Sequence, residues 1–115
     1  MNAFGLQIYS VRDKMTSREG IRDTFLALKA MGYDYLQTAG APAVSYEEYG
    51  ALAQEAGLAI VGTHDNFALM CENFDQSLAN HKALGATLSH IRFQPVNYLS
   101  CNLFAIHSTL RFFCY

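Results

Sequence analysis

The 115-residue chain has no tryptophan, two prolines and three cysteines. Cys71, Cys101 and Cys114 are odd in number, scattered, and without C-x-x-C spacing. That pattern speaks against both a disulfide framework and a zinc ribbon, and makes the reducing cytoplasm the expected setting. No uninterrupted apolar run approaches the roughly 20 residues of a spanning helix, so no membrane partner is expected. The opening Met1-Asn2-Ala3-Phe4-Gly5 lacks a basic region and a long apolar stretch, so no secretory signal is expected either. Positive charge is not in surplus: the net charge is −2, which offers no footprint for nucleic acid, and the glycine-containing stretches carry no phosphate-loop fingerprint. Carboxylates are absent from the last third. The final acid is Asp75, so residues 1–75 carry −5 and residues 76–115 carry +3. Those forty residues can supply neither a carboxylate base nor a hard-metal ligand.

What is present is 51% hydrophobic residues in a repeating rhythm, enough for one globular domain with a core of its own. Phe4-Gly5-Leu6-Gln7-Ile8-Tyr9-Ser10-Val11 reads as a first strand, followed by the polar exit Arg12-Asp13-Lys14-Met15. Thr16-Ser17-Arg18-Glu19 has the S/T-x-x-E form that caps a helix start. Ile21, Phe25, Leu28 and Met31 then recur at helical spacing on one face, and Gly32 suits a left-handed C-terminal cap. The cycle repeats with a strand at Tyr33 to Thr38, a loop at Gly40-Ala41-Pro42, a capping box at Ser45-Tyr46-Glu47-Glu48 and a stop at Gly57. A third strand spans Leu58 to Thr63, and Asn73-Phe74-Asp75-Gln76 opens a third helix running through Leu78 and Leu84 to Gly85. Parallel strands are thus expected near residues 5–10, 34–38 and 58–63, with a weaker fourth around Leu88 to Phe93. Strand–helix alternation at this spacing implies a parallel sheet with right-handed crossovers. It fits both an open doubly wound sheet and the front of an eight-stranded barrel.

Three segments in order, Gly5-Leu6-Gln7-Ile8-Tyr9-Ser10-Val11-Arg12-Asp13, Met31 to Gly40 and Ala56 to His64, resemble the amino-terminal part of the sugar phosphate isomerase/epimerase family of xylose-isomerase-like TIM barrels. The first segment is the most specific, and the resemblance runs over about residues 4–86. It implies an α/β fold made of the first three to four βα units of a (β/α)8 barrel. Residues 1–86 form that incomplete barrel, and residues 87–115 form a divergent, aromatic-rich tail. For full-length members it implies metal-assisted aldose–ketose isomerisation or epimerisation of sugars or polyols through an enediolate. The divalent ion, such as Mn, Mg or Zn, is held by Glu, Asp and His at the ends of later strands. This chain has less than half of a typical barrel of ~250 residues, and where the family commonly places a Glu at the end of the second strand it has Gln37. An amide can bond a hydroxyl but cannot act as a base. The resemblance therefore implies no cofactor and no catalytic residue in this chain, which is expected to be a truncated or frame-shifted product, inactive alone.

The candidate substrate-binding residues are His64, Gln37, Tyr9 and Gln7. His64 is expected just after the third strand, on the catalytic rim of a barrel, where an imidazole can reach a substrate hydroxyl or a metal. Gln7 and Tyr9, two apart on the first strand, are expected to share a face, with ordinary barrel filling the simpler role. Arg12 is poised between an anion and a surface pair with Asp13. His64, Asp65, Glu72 and Asp75 match no metal motif, the last two suiting a helix start. His81, His90 and His107 have no acid nearby in sequence, and Cys71 reads as a structural thiol. The partner implied is a small sugar or polyol. The alternatives are a small α/β carbohydrate-binding module, a half-barrel that self-associates through exposed sheet edges, and a barrel endonuclease, which the acidic amino-terminal part opposes. The tail, lacking a repeating face, is expected to be loosely ordered or packed opportunistically, most of all after Pro95.

Overall fold

The computed structural model describes residues 3–65, 67–86, 88–91 and 111–114, with side-chain environments for residues 3–64 and 70–86. Among the described residues the strands and α-helices run β1 (Phe4–Gln7), α1 (Arg18–Ala30), β2 (Tyr33–Gln37), α2 (Tyr46–Glu55), β3 (Ala59–Asp65), α3 (Phe67–Glu72), α4 (Phe74–Leu84), β4 (Leu88–Ile91) and β5 (Arg111–Cys114). They form one sheet in the order β1-β2-β3-β4-β5, each neighbouring pair parallel. Sequential order with parallel pairing is the start of a barrel wall. An open doubly wound sheet would reverse direction partway, so the order decides between the two architectures left open by the sequence. The wall is open, with β1 and β5 as its edges.

Local chemistry accounts for the helices. Ser17 caps α1, its hydroxyl accepting from the Gly20 amide at 3.1 Å. The cap therefore lies one residue beyond the Thr16 expected, and Glu19 does not complete a box. Ser45 caps α2 through the Glu48 amide at 3.2 Å, and Asn73 caps α4 through the Gln76 amide at 3.2 Å. Gly32, Gly57 and Gly85 follow α1, α2 and α4 with φ of 95°, 76° and 70°, in the left-handed region where only glycine is unstrained.

The core lies between the sheet and the helix layer: Ile21, Phe25 and Leu28 from α1, Leu36 and Ile60 from the strands, Tyr49 and Leu52 from α2, and Leu84 from α4. Phe25 and Tyr49 meet edge to face, ring centres 5.1 Å apart. Met31 does not join them. It stands at the α1 C-cap, 72% exposed, because the face beyond the edge strand β1 is open. An apolar groove of about 520 Å³, lined by residues including Leu6, Ala27, Leu28, Met31 and Tyr33, runs along that edge.

Several element boundaries differ from the sequence expectation. The first strand ends at Gln7, and Ile8–Lys14 turns as a 3-10 helix, because the polar Arg12 and Asp13 draw the chain out of the sheet early. The third strand runs two residues past Thr63, to Asp65. A short helix, α3, occupies what reads in sequence as a loop; Met70, 3% exposed, anchors it. The weaker fourth strand is present at Leu88–Ile91. Most of the tail after Pro95 lies outside the described residues; within it, Arg111–Cys114 pairs in parallel with β4. Cys71, read as a free structural thiol, is disulfide-bonded, with its partner outside the described side chains. Spacing along the chain does not measure distance in a fold that sets strands side by side.

Candidate functional site

The carboxyl ends of β1, β2 and β3 bring three of the four candidate residues to one face of the sheet. Gln7 ends β1 and is in register with Gln37, which ends β2. Their strand neighbours Leu6 and Leu36 pack into the helix-side core, so alternation turns both amides to the opposite face.

His64 reaches that face through an irregularity. Leu36 pairs with Ile60 and Gln37 with Gly62, so Val61 is an extra residue in β3. Such a bulge shifts the side-chain alternation by one. Ile60 and Thr63, three apart, accordingly both face the helix layer, at 6% and 1% exposure. Without the bulge His64, four residues after Ile60, would point into the core. With it, His64 Nδ1 lies 2.9 Å from Gln7 Nε2, across two strand boundaries. Backbone contacts extend the β2–β3 pairing past the strand end: the Thr38 amide donates to the Gly62 carbonyl at 3.0 Å and the Gly40 amide to the His64 carbonyl at 3.2 Å. On the other side, β3 and β4 pair His64 in register with His90.

Tyr9 is not part of this set. It lies in the 3-10 turn rather than on β1, 44% exposed. The Arg12 guanidinium sits 4.2 Å from its ring centre and donates to its carbonyl at 2.9 Å. Arg12 Nε is also 3.9 Å from Asp13, so the arginine stabilises the turn, and the surface-pair reading describes it. Beneath the β2–α2 loop a cavity of about 110 Å³ lies between Ile8, Met15, Pro42 and Tyr49, with Arg12 at its margin. Burial raises the Tyr49 phenol above its ordinary value.

His81 is a core histidine. Its Nδ1 donates to the Ser77 carbonyl at 2.6 Å, and its Nε2 accepts from the Thr63 hydroxyl at 2.5 Å. The missing acid in sequence is thereby explained, since a carbonyl and a hydroxyl satisfy a neutral ring. Glu72 and Asp75 are exposed around the α4 N-terminus, where the helix dipole favours carboxylates. Among the described residues no three His, Cys, Asp or Glu side chains converge. Among the described side chains, the donors at the strand ends are the Gln7 and Gln37 amides and the His64 imidazole, which include none of the anionic oxygens that Mn or Mg prefer.

No family model matches the sequence, and neither does any curated protein. Solved structures do match. A sugar phosphate isomerase/epimerase from Parabacteroides distasonis superposes with a TM-score of 0.65 at 19% identity, over 81% of this chain and 39% of that one. A second from the same organism gives 0.61 at 22% identity, over 83% and 43%. The likeness establishes the fold. Over the matched part this chain shares the fold of these sugar phosphate isomerase/epimerase structures, and it spans about two fifths of their length. The sequence resemblance at the G-L-Q-I-Y-S-V-R-D segment and the structural likeness thus point to the same proteins. Among the described residues, no helix is long and apolar enough to cross a membrane.

Proposed function

We propose that the chain is a sugar phosphate isomerase/epimerase-like protein of carbohydrate metabolism that holds a small sugar or polyol at the ends of β1, β2 and β3 and does not turn it over alone. The observation that carries this reading is the approach of Gln7 and His64 at the strand ends, with Gln37 in register beside them. Amides and an imidazole are neutral hydrogen-bonding groups suited to vicinal hydroxyls. They sit on the face and at the end where barrel enzymes bind substrates. The expected inactivity has a chemical reason in Gln37, which cannot take a proton from a carbon beside a carbonyl at neutral pH. The divalent metal of the family belongs, on this reading, to parts of the barrel that this chain does not supply. A cytoplasmic setting belongs to the same proposal. The Cys71 disulfide weighs against it, and counting free thiols in protein isolated under alkylating conditions tests it.

The ligand is tested by titrating the labelled chain with a ketose, an aldose, their reduced polyol and the phosphate esters of each. Amide shifts concentrated at Gln7, Gln37 and His64, weakened at least tenfold by Gln37→Ala or His64→Ala, are expected. No shift at these positions up to the solubility of the ligands overturns the reading. A metal-dependent turnover that His64→Ala abolishes overturns the inactivity.

The open groove beside β1 favours a second reading, in which two copies close their walls against each other. Sedimentation of a monomer at high concentration contradicts it.

A further inference from the structure

We propose that the cavity beneath the β2–α2 loop is an oxyanion site, which takes a phosphate group on the Arg12 guanidinium and the Thr38 and Tyr49 hydroxyls. It lies on the helix side of the sheet, behind the strand ends, and is separate from the place given above to the sugar. Leu36 packs into the helix-side core, so alternation turns Gln37 to the opposite face and Thr38 back to the helix side. Thr38 is 6% exposed and lines the cavity. Tyr49 comes to it from α2, is 3% exposed, and lines it as well.

Among the described residues neither hydroxyl has a hydrogen-bond partner. Yet no fully enclosed side-chain nitrogen or oxygen in that part of the chain lacks one. Both hydroxyls therefore reach open space, and the space that the two residues share is the cavity. Burial is the one cause that raises the Tyr49 phenol, which accords with a hydroxyl that no neighbour bonds. A buried hydroxyl without a partner opposes folding, and Val and Phe would fill the same two shapes without that cost. Two such groups at one cavity point to a polar occupant.

Charge and size narrow that occupant. Arg12, at the margin, is the only charged residue among the described residues that line the space. Its Nη1 donates to the Tyr9 carbonyl and its Nε is 3.9 Å from Asp13, which leaves Nη2 for a further acceptor. Asp13 is exposed and does not line the cavity. Glu48, in the first turn of α2, is drawn to Arg18 at 2.5 Å. One cation, two hydroxyl donors and no lining carboxylate select an anion with several acceptor oxygens. A single water needs roughly 10–15 Å³, so about 110 Å³ takes a group of several heavy atoms. A phosphate group fits, either as the free ion or at the end of an ester whose remainder stays outside.

The test is a titration of the full labelled chain with inorganic phosphate, against chloride at equal ionic strength. The expected result is a saturable shift of the Thr38 and Gly40 amides and of the Arg12 Nε–H that chloride does not produce. Thr38→Val and Tyr49→Phe should each weaken phosphate binding about tenfold. Neither should lower the urea midpoint, because neither hydroxyl has a partner within the fold to lose. Thr63→Val supplies the contrast: its hydroxyl is bonded to His81, so it should lower the midpoint and leave phosphate affinity unchanged. Titration with phosphate esters of sugars separates the two sources. Tighter binding of the ester assigns the site to it, tighter binding of inorganic phosphate to the free ion, and both uphold the site. Absence of a saturable shift with phosphate and ester alike overturns the proposal, as does phosphate binding that keeps its affinity in both hydroxyl variants. Should a variant fail to fold, the wild-type titration alone decides. Inorganic phosphate has no sugar hydroxyls, so failure of the sugar titration at Gln7, Gln37 and His64 leaves this result untouched.

Discussion

The residues of this chain divide by the face of the sheet they serve. On the helix side Phe25 is fully buried against Tyr49. Phe25→Ala is expected to cost about 3–5 kcal/mol, by loss of transfer energy and creation of a cavity, read as a lower urea midpoint. Thr63→Val keeps the shape but removes the donor opposite His81 Nε2. A buried acceptor that loses its partner costs about 1–3 kcal/mol, so this variant should be destabilised by that amount in the same assay. Tyr49 also sets a pH limit. Burial raises its folded pKa above the unfolded value near 10, so the unfolded state releases the phenolic proton first. Its contribution is complete below about pH 10 and is lost as pH rises beyond that. Alkaline titration of stability should fall above that point and fall less in Tyr49→Phe. Histidines were the hardest residues to read in sequence. His81 lacks an acid neighbour because its partners are a carbonyl and a hydroxyl, and no spacing rule announces those.

Elements were more legible where the signal was local. Capping hydroxyls at Ser45 and the amide at Asn73, together with the glycines after each helix, place α2 and α4. The first cap slipped from Thr16 to Ser17 because two adjacent hydroxyl residues compete for one role. Either Ser17→Ala or Ser45→Ala should cost about 1 kcal/mol. Non-local features were not legible. The bulge in β3 exists only as a mismatch between two strands. Its one trace in the sequence is Gly62, a residue that strand interiors tolerate mainly at bulges or close approaches. The early end of β1 misled the reading of Tyr9, since the apolar run continues past Gln7 into the 3-10 turn. Gly50 marks another long-range contact: a Cβ there would lie 2.6 Å from the Ala83 carbonyl oxygen of α4. Gly50→Ala must therefore force α2 and α4 apart, and a loss of stability larger than that of either serine variant is expected, against the usual gain of alanine over glycine in a helix.

At the scale of the molecule, the parallel order β1-β2-β3-β4-β5 makes one open wall among the described residues. Tyr35 and Val61 are 39% and 38% exposed, and the apolar groove flanks β1. The last acid is Asp75 and the sequence resemblance to the family runs to about residue 86, yet β4 still joins the sheet at Leu88, so the sheet continues across the loss of acids. This wall brings Gln7 and His64 together at its carboxyl end. A nuclear Overhauser spectrum of the labelled chain tests it most directly. Contacts are expected between the Gln7 side-chain amide protons and the His64 ring, alongside the parallel cross-strand pattern linking Leu6 to Leu36 and Leu36 to Ile60. An antiparallel pattern among these strands, or a His64 ring that contacts the Phe25 and Leu36 core in place of Gln7, would contradict it.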